Sequence, residues 1–499
     1  MRADGGGAEP DVIVVGAGNA GFSAAHAARL AGARVLVLER EPAECGGGNS
    51  YYTAGATRIA HGGKDDVIEL VEPDERIDRA QIPAYSPDEY AADLRRVTEG
   101  RNDPELTRVL TRESRGALGW LHDLGVRYRL LFERQAYLRP DGSYRFWGGL
   151  HLGNVDGGAG LIADHLRIAA DLGEELRFDQ RAVDLVEEGG RITGVVVESG
   201  GDRHEYRAGA VVLAAGGFEA SPSLRERHLG PGWAHAKVRG TPGNTGDMLT
   251  AALAHGARRG GDWSSAHSVQ WDAFAPSNES NRELTNRLTR QSYPLGIIVN
   301  RDGRRFVDEG ADFRNYTYAK YGKAILEQPG SVAWQVFDAR LRPMLRTEEY
   351  DMPGVSVVSA DTLEELARAA GIDPGGLRRT VDEFNAAIDV SQPFDPTVKD
   401  GRRADVTPPK SNWSAALVEA PFSAYAVTCG ITFTFGGVGA NADGAVLDEG
   451  GEPIPGLFAC GEMLGGLFSG NYPGGSGLAA GMVFGRRAGL AARAAAASR

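Results

Sequence analysis

The stretch VIVVGAGNAGFSAAHAARLAGARVLVLE, residues 12–39, decides the fold. VIVV at 12–15, between Asp11 and Gly16, and VLVL at 35–38 are short apolar runs that read as buried parallel strands. Between them Asn19 to Ala31 is rich in Ala and stops at Gly32, the pattern of a helix with a glycine terminator. The unit is strand–helix–strand, and Gly16, Ala17, Gly18, Asn19, Ala20 and Gly21 form its first turn. Gly16 makes the tight turn, Gly18 lets the backbone approach a pyrophosphate, Gly21 lets helix and strand pack closely, and the helix N-terminus faces phosphate charge. Glu39, 18 residues after Gly21, is placed to accept bonds from ribose hydroxyls. A dinucleotide site is predicted.

Working outward, Ile192 to Glu198, AVVL at 210–213 with AAGG behind it at 214–217, and Leu457 to Cys460 read as further strands of the same type. Gly46-Gly47-Gly48-Asn49-Ser50, just after the second strand, is a loop without bulky side chains that suits a second stretch of the same cofactor. A nicotinamide enzyme does not require that loop, so FAD is the expected dinucleotide. The nucleotide-binding domain is assembled from residues 8–267 and 426–499, with 268–425 inserted. The insert holds the polar loops at 277–293 and 391–410 and helical stretches at 361–370 and 374–388. No repeat at a fixed period is evident.

The whole chain supports this division. Its 499 residues exceed one ordinary core, and 69 glycines are roughly twice the usual share, implying many sharp turns and close backbone approaches. A net charge of -13 argues against a nucleic-acid surface, which needs clustered Lys and Arg. Cys45, Cys429 and Cys460 form no CxxC pair, so no disulfide framework, metal site or iron–sulfur cluster is expected, and a reducing cytoplasm fits. MRADGGGAEPD at the start lacks the apolar core of a signal peptide, and no run approaches the ~18 apolar residues of a membrane span. Ala488 to Ala497 reads as a solvated terminal helix.

The order GAGNAG, GGNS, LAAGGF, NTGD at 244–247, NRDGRRFVDE at 300–309, PGLFACGE at 455–462 and GNYPGGSG at 470–477 resembles the flavoprotein family of fumarate reductases, succinate dehydrogenases and 3-ketosteroid dehydrogenases. Within it, GGNS, DEGADF at 308–313, HSVQWD at 267–272 and GITFTFGGVG at 430–439 are most similar to the tricarballylate dehydrogenase subgroup. The resemblance implies an α/β architecture: a Rossmann-like FAD-binding domain of the glutathione-reductase type carrying an inserted α+β capping domain. It also implies FAD contacts from Gly16, Gly18, Asn19 and Ala20, Glu39 and Arg40, Gly48, Asn49 and Ser50, and Thr53, Ala54 and Gly55. Further contacts are implied from Val183, Ala215 and Gly216, Asp247, Gly461 and Glu462, and Ser476, Gly477 and Leu478. Members with a covalent flavin use a His just after the Gly-rich loop. Tyr51 and Tyr52 stand there here, so non-covalent FAD is expected.

The substrate site departs from the best-known relatives. The stretch that carries a carboxylate-holding His in fumarate reductases reads Thr432, Phe433, Thr434, Phe435 here, and the second carboxylate's Arg is replaced by Tyr472, as in the YPG motif of 3-ketosteroid dehydrogenases. A phenol with backbone N–H groups beside it can polarise a carbonyl and stabilise an enolate. Where relatives place a catalytic Arg or Tyr, this chain has Phe313; Arg314 is adjacent and Tyr316 and Tyr318 follow, with Arg314 the favoured proton-transfer residue. Arg305 matches the family's proton-relay Arg, although a buried ion pair to Asp308 or Glu309 is an equally ordinary role. His267 matches a His of the tricarballylate dehydrogenase subgroup, which implies that it holds a substrate carboxylate or acts as base, and Arg58, His151 and Arg290 are weaker polar candidates.

The implied chemistry passes a hydride between a substrate β-carbon and flavin N5, while a proton leaves or joins the α-carbon. Desaturation beside a carboxylate or ketone is the expected direction. The alternatives are an ene-reductase, or a 3-ketosteroid-dehydrogenase-like enzyme on a ketone, and a non-redox FAD protein. An electron acceptor is needed as well: oxygen, a quinone or a separate redox protein.

Overall fold

A computed structural model describes residues 9–146, 149–276 and 280–498; the first eight residues, where no signal-peptide core is expected, lie outside these. The chain divides into two compact units. The first comprises residues 1–231, 240–266 and 433–499, and the second residues 232–239 and 267–432. The chain passes from one to the other at 231–232 and 239–240 and again within the strands Arg259–Asp272 and Phe422–Val438.

The first unit is built on β1 (Val12–Val15), α1 (Asn19–Leu30), β2 (Val35–Leu38), β3 (Glu175–Arg177), β4 (Ala210–Leu213), β5 (Ala445–Leu447), β6 (Pro453–Ala459) and α2 (Ser476–Ala497). The sheet order is β5-β6-β4-β1-β2-β3, parallel except for the edge strand β5. β1, β2 and β4 are buried at every residue, which is why they read as continuous apolar runs rather than alternating ones. Each fully buried Val or Ile there contributes about 2 kcal/mol.

The helix α2 is longer and more deeply set than a solvated terminal helix: it begins at Ser476, and Ala488 and Ala492 are fully buried. Gly481, Gly485 and Gly489 recur every fourth residue along one face. A Cβ on Gly485 would stand 2.5 Å from the Ala20 carbonyl oxygen, and one on Gly489 would strike that of Ala24. Small residues at this spacing let α2 lie directly against α1. The Gly46–Ser50 segment also differs from a plain loop. Gly47 takes a left-handed conformation and Gly48–Tyr51 forms one helical turn, with Gly47 pressed so closely on Ile162 that a side chain would not fit.

In the second unit, Phe422–Val438 is the central strand of a sheet. It pairs with Lys237–Val238, Ala333–Phe337 and Val357–Ala360, and Ile297–Val299 extends the sheet beyond Ala333–Phe337. Helices Leu363–Ala370 and Pro374–Ala386 cover an apolar core of Val336, Phe337, Leu366, Leu377, Val381 and Phe384. No helix among the described residues is long and apolar enough to cross a membrane.

Candidate active site

The glycine turn after β1 has the shape its sequence requires. Gly16 sits at φ +105°, and a Cβ there would meet the Ala214 carbonyl; a Cβ on Gly21 would strike the Gly16 carbonyl. At Gly18, by contrast, the nearest atom to a Cβ would be Ser50 Oγ at an ordinary 3.4 Å, so the backbone is approachable from that side. Asn19 N–H donates to Ser50 Oγ at 3.0 Å and its side-chain amide to the Leu478 carbonyl at 2.9 Å. These bonds bring the first turn, the GGNS segment and the start of α2 together. Ser50 O in turn accepts the Thr53 hydroxyl at 3.0 Å, and Thr53 Oγ1 accepts the Gly55 N–H. Ala54 lies between these two.

Glu39 closes β2 almost fully buried, its carboxylate accepting the backbone N–H groups of Ala17 at 2.9 Å and Glu41 at 3.0 Å. Burial raises its pKa despite those two bonds. Arg40 donates to the Gly243 carbonyl, Thr245 Oγ1 and Asp247, which also receives Arg181 at 3.0 Å. Val183 falls where the strand Arg181–Glu188 skips register between Ala182 and Asp184, so its backbone is out of the ladder. Ala215 and Gly216 follow β4, with Gly216 at φ +73°. Gly461 is left-handed at φ +66° and presses on Ala20, and Ser476 is fully buried with its hydroxyl bonded to Tyr90 at 2.8 Å. Gly477 follows it in α2, near Phe433 and Tyr472. An extended run of approachable backbone, one buried acid and no crowding at Gly18 fit a dinucleotide, and these residues could hold one.

Tyr472 is also in this unit and nearly buried. Its hydroxyl accepts the Gly475 N–H at 3.2 Å, and its ring meets Phe433 and Phe468 edge-on, each at 5.3 Å. The turn around it is braced from behind. Arg58, fully buried, donates from Nε to the Gly474 carbonyl at 2.8 Å and from its terminus to Tyr85. Asp262 accepts the hydroxyls of Ser264, Ser265 and Ser469, and Ser265 accepts the Gly470 N–H. Desolvation of Asp262 is outweighed by these donors, and its pKa is held down at about 2. His151 bonds to His61 at 2.8 Å.

The remaining candidates lie in the second unit. Arg305 is almost wholly enclosed: it pairs with Glu309 through Nε at 3.0 Å and through a second, shorter contact, and it donates to the carbonyls of Val307, Pro408 and Pro409. Arg290 pairs with Asp272 at 2.5 Å in the core. Arg314 opens a short helical turn through Tyr316 and donates to Gln291 Oε1 at 3.1 Å. Tyr316 is buried, and Phe313 packs on Trp413. His267 is buried edge-on against Tyr318 at 4.9 Å, and burial, reinforced by the charge of Arg239, pushes its pKa well below the usual imidazole range. Arg239, which donates to Thr432 Oγ1 at 3.0 Å, was not singled out in the sequence. Its only signal there is one Arg just ahead of the PGNTGD turn. Glu219, the acid directly behind AAGGF, was passed over in the same way.

The chain matches the model of a family described as FAD binding domain over residues 11–478. It belongs to that family. This flavoprotein is 30% identical over 490 residues to a fumarate reductase (cytochrome) of Shewanella frigidimarina, with 96% of this chain and 76% of the relative covered. It is 32% identical over 359 residues to the 4-oxocyclohex-2-ene-1-carboxylate 5-dehydrogenase of Sinomonas cyclohexanicum, covering 66% of this chain and 59% of that one. Its fold matches the open conformation of a flavocytochrome c3 fumarate reductase with a TM-score of 0.72 at 29% identity, covering 98% of this chain and 79% of that one. The flavoprotein has the α/β FAD-binding fold of the fumarate reductase flavoproteins, binds FAD, and is an oxidoreductase acting on CH–CH groups. The non-redox alternative falls with this.

Proposed function

We propose that the flavoprotein desaturates a C–C bond α,β to a ketone or a carboxylate, and that Tyr472 polarises the substrate carbonyl. The observation that carries this is the setting of Tyr472: a phenol whose oxygen accepts a backbone N–H, walled by Phe433 and Phe468. Accepting that bond makes the O–H a stronger donor, and an apolar surround strengthens its pull on an enolate oxygen as the α-proton leaves. Bound FAD supplies the acceptor for the hydride from the β-carbon. Arg314, with Tyr316 behind it, is the proposed proton-transfer residue, and His267 a proposed donor to a substrate carboxylate. The aromatic walls suit a ring or alkyl skeleton. The name of the Sinomonas relative, which joins a ketone, a carboxylate and dehydrogenation in one ring, supports both the substrate class and the direction.

The FAD is held without a covalent bond in this reading, Tyr51 and Tyr52 standing where a His link would be. The three cysteines, none of them in a disulfide, suit a reducing cytoplasm, and oxygen, a quinone or a separate protein takes the electrons.

The test is anaerobic bleaching of the bound flavin by a panel of saturated 3-keto compounds, tricarboxylates and arylpropionates. One class is expected to bleach it, and Tyr472→Phe to slow that bleaching by about 10²–10³-fold. Reoxidation by unsaturated acids with no bleaching by any saturated compound would reverse the direction, as the name of the Shewanella relative favours. Full activity in Tyr472→Phe would remove Tyr472 from the mechanism.

A further inference from the structure

The two glycines after β4 leave no room for side chains. A Cβ on Gly217 would strike the carboxyl of Glu462 and the hydroxyl of Thr434, and one on Gly216 would lie 2.5 Å from the Asn244 side chain. The space kept open above this strand end holds a compact polar cluster. Glu219 is fully buried in it, and its Oε1 accepts the side-chain amides of Asn49 and Asn244, each at 2.5 Å. Its other oxygen, Oε2, has no donor among the described residues. The Glu462 side chain stands within hydrogen-bonding reach of Glu219, while its own Oε1 accepts the Thr434 N–H at 2.7 Å and hydroxyl at 3.0 Å.

Among the described residues no Lys or Arg side chain pairs with either carboxyl. Arg225, the buried cation at this corner, donates instead to the Glu219 backbone carbonyl. Two carboxylates in contact without a cation repel strongly where water is excluded. One proton between them removes the repulsion and gives Glu219 Oε2 its missing donor.

We propose that Glu219 and Glu462 share a single proton, with Glu462 as the carboxylic acid donating to the Glu219 carboxylate, and that Glu219 is the positioning residue that keeps Glu462 in its O–H form. The donors sort the two roles. Glu219 receives two amide N–H groups and is stabilised as the anion, whereas Glu462 Oε1, facing Thr434, serves as the carbonyl oxygen of the acid. Burial, then the charge of Glu219, pushes the Glu462 pKa far above the carboxylate range, and burial raises that of Glu219 as well. For its consequence at the cofactor the proposal rests on Glu462 lying at bound FAD. There the shared proton spares the flavin a second buried negative charge as electrons arrive.

The test is infrared spectroscopy of the FAD-loaded protein carrying carboxyl-labelled glutamate. A carboxylic-acid C=O band that moves with the label and with deuterium exchange is expected at pH 7. It should vanish in Glu462→Gln, and in Glu219→Gln its titration midpoint should fall by at least tenfold in proton affinity, because an amide now donates to Glu462. A wild type with no labelled acid band, or a band unmoved by Glu219→Gln, overturns the proposal, and the wild-type spectrum decides even if a variant does not fold. Visible flavin absorbance is read on the same samples. Intact FAD with no acid band sinks only the acid pair, whereas loss of FAD from wild type would count against the cofactor reading.

Discussion

In the first unit the groups expected at the cofactor are mostly backbone: the left-handed Gly16 and Gly216, the approachable Gly18, the unladdered Val183, and one acid, Glu39, held by two N–H groups. In the second unit the expected groups are long side chains, and several are already spoken for: Arg305 by Glu309 and three carbonyls, Arg290 by Asp272, His267 by its burial against Tyr318. A grip made by backbone shape is set by where glycine must stand. A grip made by side chains depends on which partner wins each guanidinium or imidazole, and that competition is tertiary.

The sharpest way to break this contrast is at Arg305. If the ion pair is what the residue is for, Arg305→Ala leaves Glu309 buried without its guanidinium partner, and stability falls by about 3–5 kcal/mol. The double change Arg305→Met with Glu309→Leu should recover most of that, since an apolar pair of similar volume avoids the desolvation cost. Chemical denaturation of the three proteins measures this. If the double variant is stable yet has lost turnover, Arg305 moves protons as well as packing.

The next effect in size lies in the first unit and depends on pH. Burial holds the His61 imidazole down at about 4, against an ordinary value of 6.5 in the unfolded chain. Between these values the unfolded chain binds the extra proton, so the contribution is complete above 6.5 and is lost as pH falls toward 4. Between pH 7 and 5 the loss amounts to about 2 kcal/mol. His61→Gln should flatten that part of the stability–pH curve, and an unchanged slope would show that His61 titrates normally.

Residues 12–39 made the nucleotide-binding core legible because period, glycine spacing and helix stop agree, and the strands and α1 lie within a residue of their expected ends. The α2 helix was misjudged at Ala488 because an Ala-rich, Arg-bearing stretch looks solvated until the glycine seam facing Ala20 and Ala24 is seen. Glu219 and Arg239 were invisible for a related reason. A single charged residue beside a motif carries no periodic signal, and its role is created by partners such as Asn244 or Thr432 that are distant in sequence.

A smaller effect is expected at Asp262. Its carboxylate collects Ser264, Ser265 and Ser469, and through Ser265 braces the Gly470 N–H two residues before Tyr472. Asp262→Asn should cost about 1 kcal/mol. The wild-type contribution is present above the unfolded value of 3.8 and is lost as pH falls through about 2. Turnover should drop further than stability does, because the turn carrying Tyr472 loosens.

The smallest effect is the one that most sharpens the contrast between the units. His267 is buried against Tyr318 with the charge of Arg239 nearby, and both burial and that charge disfavour its protonated form. A base poised for proton abstraction needs a pKa near the working pH, and this imidazole is displaced far from it. His267 should therefore act as a neutral hydrogen-bond donor and leave no ionisation limb in the kcat/KM profile between pH 6 and 8. His267→Gln keeps a neutral donor in the same place, and should change kcat/KM by less than about tenfold, under ~1.4 kcal/mol of barrier. A base would instead lose about 10²–10⁴-fold together with a limb of the profile. That result would show that substrate binding reverses the imidazole's environment, and would move His267 from carboxylate donor to proton acceptor.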